Sequence, residues 1–595
     1  MIDEKTVVGE GLCSSRFCAY PMPSGGDETV LSGEGFLRVG SIRLRGQGDA
    51  IRATMWHSMN KGYWGNGQMK ENTEQTESIG LRLWNRGKKG AWSLVFSRMG
   101  IVMLLFLVQI LALFVIFRWF AQISPHLMGT AMLIDIVMIP VLLMSRLDPT
   151  AKITWLMVVL AMPVFGSLLY AYTQSNFGHR TLKKRTAQLA EQNMERIQQD
   201  PAVQRALQMN NPGTAALARY MKRSGCHPVF TNTQVEYFPQ GEDKWARLLS
   251  ELEKAKKFIF LEYFIIEEGV MWGRMLEILA RKAKEGVEIR VMYDGTCEFS
   301  RLPRDYPARL RALGIRCKAF APLTPFLSTH YNYRDHRKIL VIDGHTAFCG
   351  GVNLADEYIN RIRKFGHWKD TAVMLHGDAV RSFTLMFLQM WNIEERRPVY
   401  DPYLDPPEKT VCAPGFVIPY GDCPLDEDKL GERVYIDILS RAQKYVYIMT
   451  PYLILDSELE NALIYAAERG VDVRLILPGV PDKAAPYALA KTYYPALMRA
   501  GVRIYEYTPG FVHAKIFVSD DDTAVVGTIN LDYRSLCHHF ECAVYLYKTP
   551  CIADIRKDFM STLSSCIRVD EEQMKNEPLT RRIMGPMLRI IAPLL

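Results

Sequence analysis

Two stretches of the chain, HYNYRDHRKILVIDGHTAFCGG at 330–351 and GFVHAKIFVSDDDTAVVGTIN at 510–530, carry a histidine, a lysine two residues on, four apolar or small residues and an aspartate. Along a strand, residues i and i+2 share a face, so His336 points with Lys338 and His513 with Lys515. The apolar run after each pair takes the strand into a core. Asp343 and Asp520 complete the motif at the following turn, where a carboxylate fixes the turn or pairs with a base. Just downstream, GGVN and GTIN place Gly351, Asn353, Thr528 and Asn530 where small residues let backbone approach an anion and amides donate hydrogen bonds.

Two histidines, two lysines and two asparagines make a cradle for a single phosphodiester. A lysine supplies a point charge, and fixed donors stabilise charge on the non-bridging oxygens in the transition state. A neutral imidazole can attack phosphorus and form a phosphohistidine. A protonated one can give its proton to the departing alkoxide and later deprotonate the incoming alcohol. This scheme calls for no metal and no other cofactor, because the lysines and amides do the electrostatic work a metal would do. Each imidazole needs a carboxylate on its other nitrogen to hold tautomer and direction. Asp370, in WKDTAVMLHG, and Glu541, in HHFECAVYLY, begin strands downstream of Asn353 and Asn530, and by position in sequence Asp370 is expected on His336 and Glu541 on His513. One such motif is weak evidence; two, each followed by a similar turn, are strong.

Elements that position these residues can be read from their surroundings. From about Cys226 the pattern is α/β, with strand-like KKFIFLEYFII, EGVEIRVMYDG, RKILVIDG and TAFCGGVN between amphipathic helices. The order recurs: ARKAKEGVEIRVMYD resembles YAAERGVDVRLILPG, RALGIRCKAF resembles MRAGVRIYEY, and His336 and His513 lie 177 residues apart. Gly286, Gly314, Gly470 and Gly501 each follow a helix and feed a strand, the left-handed position where lacking a Cβ costs nothing. Two similar lobes are therefore expected at 226–400 and 426–595, joined by a Pro- and Gly-rich linker at 401–425.

Three apolar segments precede the lobes, Met99–Phe117, Leu127–Ser145 and Ile153–Tyr172. The first and third carry no charge over about 20 residues, enough to cross roughly 30 Å of hydrocarbon. The middle one contains Asp135 and Pro140. Basic residues flank the whole set on both sides, which places the large C-terminal part in the cytoplasm and leaves the side of the N-terminus open. Residues 1–97 are expected as a poorly ordered extension, 98–172 as two or three membrane helices, and 173–225 as a helical linker in which Asn211 and Pro212 stop a helix. A functional start near Met59 or Met69 is one expectation. The basic, apolar tail RRIMGPMLRIIAPLL is expected to pack on protein or lipid. Twelve scattered cysteines read as free thiols, with Cys349 a packing residue, and a formal charge of +8 over 595 residues is too modest to argue for nucleic acid.

The duplicated motif resembles the signature of the phospholipase D superfamily. SRLDPTAKITW, RDHRKILVIDG, GHWKDTAV, TPYLILDSEL, RGVDVRLILPG, YEYTPGFVHAKIFV and GTINLDYRSL are similar more closely to the bacterial cardiolipin synthases within it. The resemblance implies an α/β fold of two α/β/α lobes related by a pseudo-two-fold axis, with one site between them and no metal. It implies transfer of a phosphatidyl group from one phosphatidylglycerol to another, His336 the nucleophile and His513 the acid/base. Phosphatidylglycerol and membrane lipid would be the partners, with no nucleic acid. A hydrolase using water, a transferase using another alcohol such as serine, and an inactive membrane-anchored scaffold remain alternatives.

Overall fold

The computed structural model describes residue 83, five positions between 107 and 118, and 127–592 except 146, 175–179, 323–332, 406–410 and 427. The segment Met99–Phe117 therefore falls largely outside the described residues, as does nearly all of the N-terminal extension. Leu127–Met144 is one helix with Pro140 inside it. The third apolar segment differs from the expected continuous span. It forms two helices, Pro149–Ala161 and Pro163–Gln174. Pro163 lacks the N–H that would continue the ladder, and the chain turns out of helical geometry at Met162. Among the described residues no helix is long and apolar enough to cross a membrane.

Three helices follow, Arg180–Asn193, Pro201–Asn210 and Pro212–Gly225. The last two start on proline behind an Asp200 or Asn211 side chain that accepts from the first turn. Asn211 both ends one helix and caps the next.

Each lobe is built on a mixed sheet with the same strand order. In the first, the order is Thr233–Phe238, Ala372–Gly377, Thr346–Gly350, Lys338–Ile342, Phe258–Tyr263, Glu288–Asp294 and Arg316–Phe320. In the second it is Phe416–Asp422, His539–Tyr547, Thr523–Gly527, Ile516–Ser519, Tyr445–Met449, Asp472–Pro478 and Arg503–Tyr507, with Cys566–Arg568 added at the edge. Phe416–Asp422 comes from within the stretch expected as linker. The central strands are buried along their whole length, which is why they read as apolar runs rather than as alternation. Gly286 and Gly470, both at φ 91°, take the left-handed turn from helix to strand in the two lobes.

Asp343 and Asp520 define the matching turns. Asp343 accepts from the backbone N–H of Lys256, Lys257 and Phe258, and Asp520 from Gln443, Lys444 and Tyr445, all at 2.7–2.9 Å. Each carboxylate thus ties the far end of the motif strand to the start of its neighbour. The two sheets face one another through a shared core containing Phe260, Val341 and Cys349 from one and Val518, Cys542 and Val544 from the other. Across it the Cys349 and Cys542 thiols lie 3.6 Å apart.

Two short strand pairs cross between the lobes. Arg334–Asp335 pairs parallel with His539–Phe540, and Gly510–Val512 pairs parallel with His367–Lys369. Each histidine-bearing segment therefore enters its own lobe from a ladder made with the other.

Candidate active site

The crossed ladders decide which carboxylate meets which histidine. His336 N donates to Phe540 O at 2.9 Å, and His513 N donates to Lys369 O at 2.7 Å. The next residue along each partner strand is the carboxylate. His336 Nδ1 lies 2.8 and 2.9 Å from the two Glu541 oxygens, and His513 Nδ1 lies 2.6 Å from Asp370 Oδ2. The pairing expected from sequence position is thus exchanged: Glu541 holds His336 and Asp370 holds His513, each from the opposite lobe. An ionised carboxylate only accepts, so the neutral ring carries its proton on Nδ1 and keeps its lone pair on Nε2.

Glu541 is surrounded by donors. Thr528 Oγ1 and Ser535 Oγ, the latter at 2.7 Å, donate to its two oxygens, and His539 Nδ1 stands 3.4 Å away. Burial pushes its pKa up, and the charge and N–H of His336, with help from His539, pull it back below the usual carboxylate range. Gly351 occupies the place equivalent to Thr528. A Cβ there would come within 2.0 Å of Asp370 Oδ1, so the glycine makes room for the shorter carboxylate. Gly351 and Thr528, expected on the phosphate, lie against the two carboxylates.

Lys338 and Lys515 are fully or almost fully buried, and each Nζ turns back to donate to the carbonyl of its own motif histidine. Burial lowers the Lys338 ammonium to about 8 and the Lys515 ammonium to about 7. Among the charges acting on Lys515 are Asp370 and Lys338 of the first lobe, which puts the two motifs in one electrostatic site. Burial, with the Lys515 charge, also lowers the His513 imidazole to about 4, although Asp370 opposes it; His336 falls well below its ordinary value, again through burial. Phe264 stacks edge-on to His336 at 4.9 Å, while Tyr358 and Trp368 flank His513 at 5.5 Å each.

The asparagines are not equivalent. Asn353 accepts from Ile265 N at 3.0 Å and donates to Tyr358 Oη at 2.8 Å, so it braces its own lobe. Asn530 Oδ1 is buried with no hydrogen-bond partner among the described residues. Asp343 and Asp520, though part of the motif, are spent on backbone at the far ends of their strands.

Several site residues escape a reading by sequence. Lys244, fully buried, donates to Val352 O at 3.1 Å, and Tyr435 Oη donates to the equivalent Ile529 O at 3.0 Å. Arg337, on the strand face opposite His336 and Lys338, is held by Glu262 at 3.0 Å and Asp335 at 3.3 Å. His539 is buried with its ring centroid 5.2 Å from that of His336. The only sequence signal for it is its position two residues before Glu541, which puts both on one strand face. His336, His539 and Glu541 bring donor atoms within 4.8 Å of one another, a set with the chemistry to take a transition metal at the expense of the His336–Glu541 hydrogen bond.

A family model described as "Cardiolipin synthase, PLD-like domain" matches residues 248–391 and 435–563, and one described as "Phospholipase_D-nuclease N-terminal" matches 127–172. An uncharacterised protein of Streptococcus mutans serotype c is 56% identical over 451 residues, which are 76% of this chain and 98% of that protein. A cardiolipin synthase of Geobacillus kaustophilus is 34% identical over 458 residues, 76% of this chain and 91% of that protein. One of Alkalihalophilus pseudofirmus is 34% identical over 454 residues, 75% of this chain and 89% of that protein.

Proposed function

Because the chain belongs to the cardiolipin synthase family, we propose that its two lobes transfer a phosphatidyl group between phosphatidylglycerol molecules at the paired histidines. The observation that carries this reading is the pair of buried imidazoles, each fixed through Nδ1 by a carboxylate from the opposite lobe, with Nε2 left as the reactive atom.

Neutral His336 attacks phosphorus through Nε2, the bond from phosphorus to the glycerol oxygen breaks, and His513 gives that oxygen its proton. Glycerol leaves. The terminal hydroxyl of a second phosphatidylglycerol then returns a proton to His513 as its oxygen displaces His336, and cardiolipin forms. The depressed pKa of His336 favours the neutral nucleophile. His513, lowered to about 4 by burial, gains its proton as the phosphodiester anion enters, since a nearby negative charge favours the imidazolium. Lys338 and Lys515 supply positive charge to the non-bridging oxygens, and Asn530 meets the ligand through its Nδ2 donor, its Oδ1 being able only to accept. Transfer rather than hydrolysis requires that water be kept from the phosphohistidine.

The N-terminal apolar stretch anchors the chain to the membrane with the lobes on the cytoplasmic side. In support, Leu133, Ile136, Val137, Val141 and Leu143 of helix Leu127–Met144 are all exposed. The test of function is turnover of labelled phosphatidylglycerol by the protein reconstituted in vesicles. Cardiolipin and glycerol are the expected products; mostly phosphatidic acid would mean that water is the acceptor.

A further inference from the structure

The C-terminal helix Leu579–Ile591 has one face committed to the protein and one that nothing in the described chain covers. On the committed face, Leu588 packs on the second lobe's core, and a Cβ at Gly585 would come within 2.7 Å of Ala488 O. Arg589 reaches Glu460 at 2.8 Å. On the other face, Leu579, Ile583, Met587 and Ile590 are 68%, 55%, 64% and 48% exposed. At 3.6 residues per turn these four fall within an arc of about 80°.

This ridge does not stand alone. Thr154 Oγ1 donates to Ile590 O at 2.5 Å, which sets helix Pro149–Ala161 alongside. That helix exposes Ile153, Met157 and Leu160. The ridge is also bordered by positive charge. A groove of about 950 Å³ between the helix and the second lobe is lined by seven basic and three acidic side chains. Of the acidic ones, Glu577 is taken by Lys491 and Arg581, Asp570 caps a helix through Gln573 N, and the exposed Glu571 has no ion pair among the described residues, which leaves the cations in excess. Arg568, Lys575 and Arg582 are exposed and have no ion pair among the described residues.

An apolar ridge beside unneutralised cations repels a second copy of itself and suits a surface that is apolar within and anionic at its boundary. We propose that helix Leu579–Ile591 and its basic groove form a docking site for anionic phospholipid bilayers. Ile583, Met587 and Ile590 enter the acyl boundary, and Arg568, Lys575 and Arg582 lie against lipid phosphates. The surface connects with the active site. Asp148, which caps helix Pro149–Ala161, lies 3.2 Å from Tyr533 Oη, and Tyr533 is three residues beyond Asn530. The proposal extends the reading of a phospholipid-transferring enzyme but is tested without turnover, so failure of either leaves the other standing.

The full-length protein is reconstituted in phosphatidylglycerol–phosphatidylcholine vesicles containing a phospholipid with a diazirine on its acyl chain, irradiated, and mapped by mass spectrometry. Labelling is expected on Ile583, Met587 and Ile590 well above that on Val399, an apolar residue 45% exposed elsewhere. It should fall by about tenfold in pure phosphatidylcholine, and likewise for the Arg568→Glu/Lys575→Glu/Arg582→Glu variant in the mixed vesicles once circular dichroism shows it folded. Ridge labelling no stronger than at Val399 overturns the proposal, and so does labelling that ignores either the lipid charge or the triple reversal.

Discussion

At the scale of the residue, the protonation of the site follows from its contacts. Nδ1 of each motif histidine is hydrogen-bonded to a carboxylate, so only Nε2 is available for bond formation or proton transfer. His336→Ala and His513→Ala are each expected to lower turnover by at least about 10³-fold while leaving membrane insertion unchanged, and comparable rates in either variant would count against a two-histidine mechanism. The pairing itself is visible spectroscopically. With ¹⁵N-labelled imidazoles, Glu541→Gln is expected to shift the Nδ1–H resonance of His336 and spare that of His513, and Asp370→Asn to do the reverse. The lysines give a pH signature. Both are bases with depressed pKa values, about 8 for Lys338 and about 7 for Lys515, so at pH 8 much of each is neutral in the free protein. A bound phosphodiester anion favours the charged forms and raises both values, so binding takes up protons. Titration calorimetry of a short-chain phosphonate analogue at pH 8, in buffers of different ionisation heat, should report uptake of about two protons, one at His513 and the rest at the lysines. Uptake of one proton or less would mean that the lysines are already charged in the free protein.

At the scale of the element, the crossed strand ladders place each carboxylate that orients a motif histidine, so a change in one lobe is expected to disable the histidine of the other. Gly351→Ala puts a methyl group within 2.0 Å of Asp370 Oδ1 and must displace it from His513. Its kcat is expected to fall by about 10²-fold with the His336 resonance unmoved, and unchanged kcat would show that Asp370 does not orient His513. Asp343 and Asp520 act on the elements rather than on the chemistry. Asp343→Ala leaves three backbone N–H groups without their acceptor and is expected to cost about 2 kcal/mol, read as a lower denaturation midpoint, with a far smaller effect on kcat than His513→Ala. These elements also explain what the sequence could reveal. The motif strands, the left-handed turns at Gly286 and Gly470 and the carboxylates Asp370 and Glu541 leave local marks, in periodicity, in glycine and in matched position. The exchange of those carboxylates leaves none, because it depends on Arg334–Asp335 finding His539–Phe540 some 200 residues away. The break at Met162–Pro163 was marked by its proline, but hydrophobicity summed over the segment hid it.

At the scale of the whole molecule, the chain carries two scaffolds of the same strand order that share their histidine–carboxylate pairs. Each lobe carries a histidine and lysine on equivalent strands, yet neither contains a complete histidine–carboxylate pair, since Glu541 and Asp370 come from across the interface. Neither lobe can orient its own histidine, so neither lobe alone makes a working site. On the proposed mechanism the two imidazoles serve one phosphorus atom, and once one has formed the phosphohistidine the other is held to proton transfer at the same phosphorus. Rapid quench of the reconstituted enzyme with phosphatidylglycerol labelled at phosphorus should accordingly trap no more than one acid-labile phosphate per chain, located by peptide mapping at His336. His513→Ala should trap it more slowly, because glycerol then leaves without its proton donor, and His336→Ala should trap none. Two labels per chain, or a label on His513 in the wild type at the same rate, would show that the lobes work separately or with the roles of the histidines reversed.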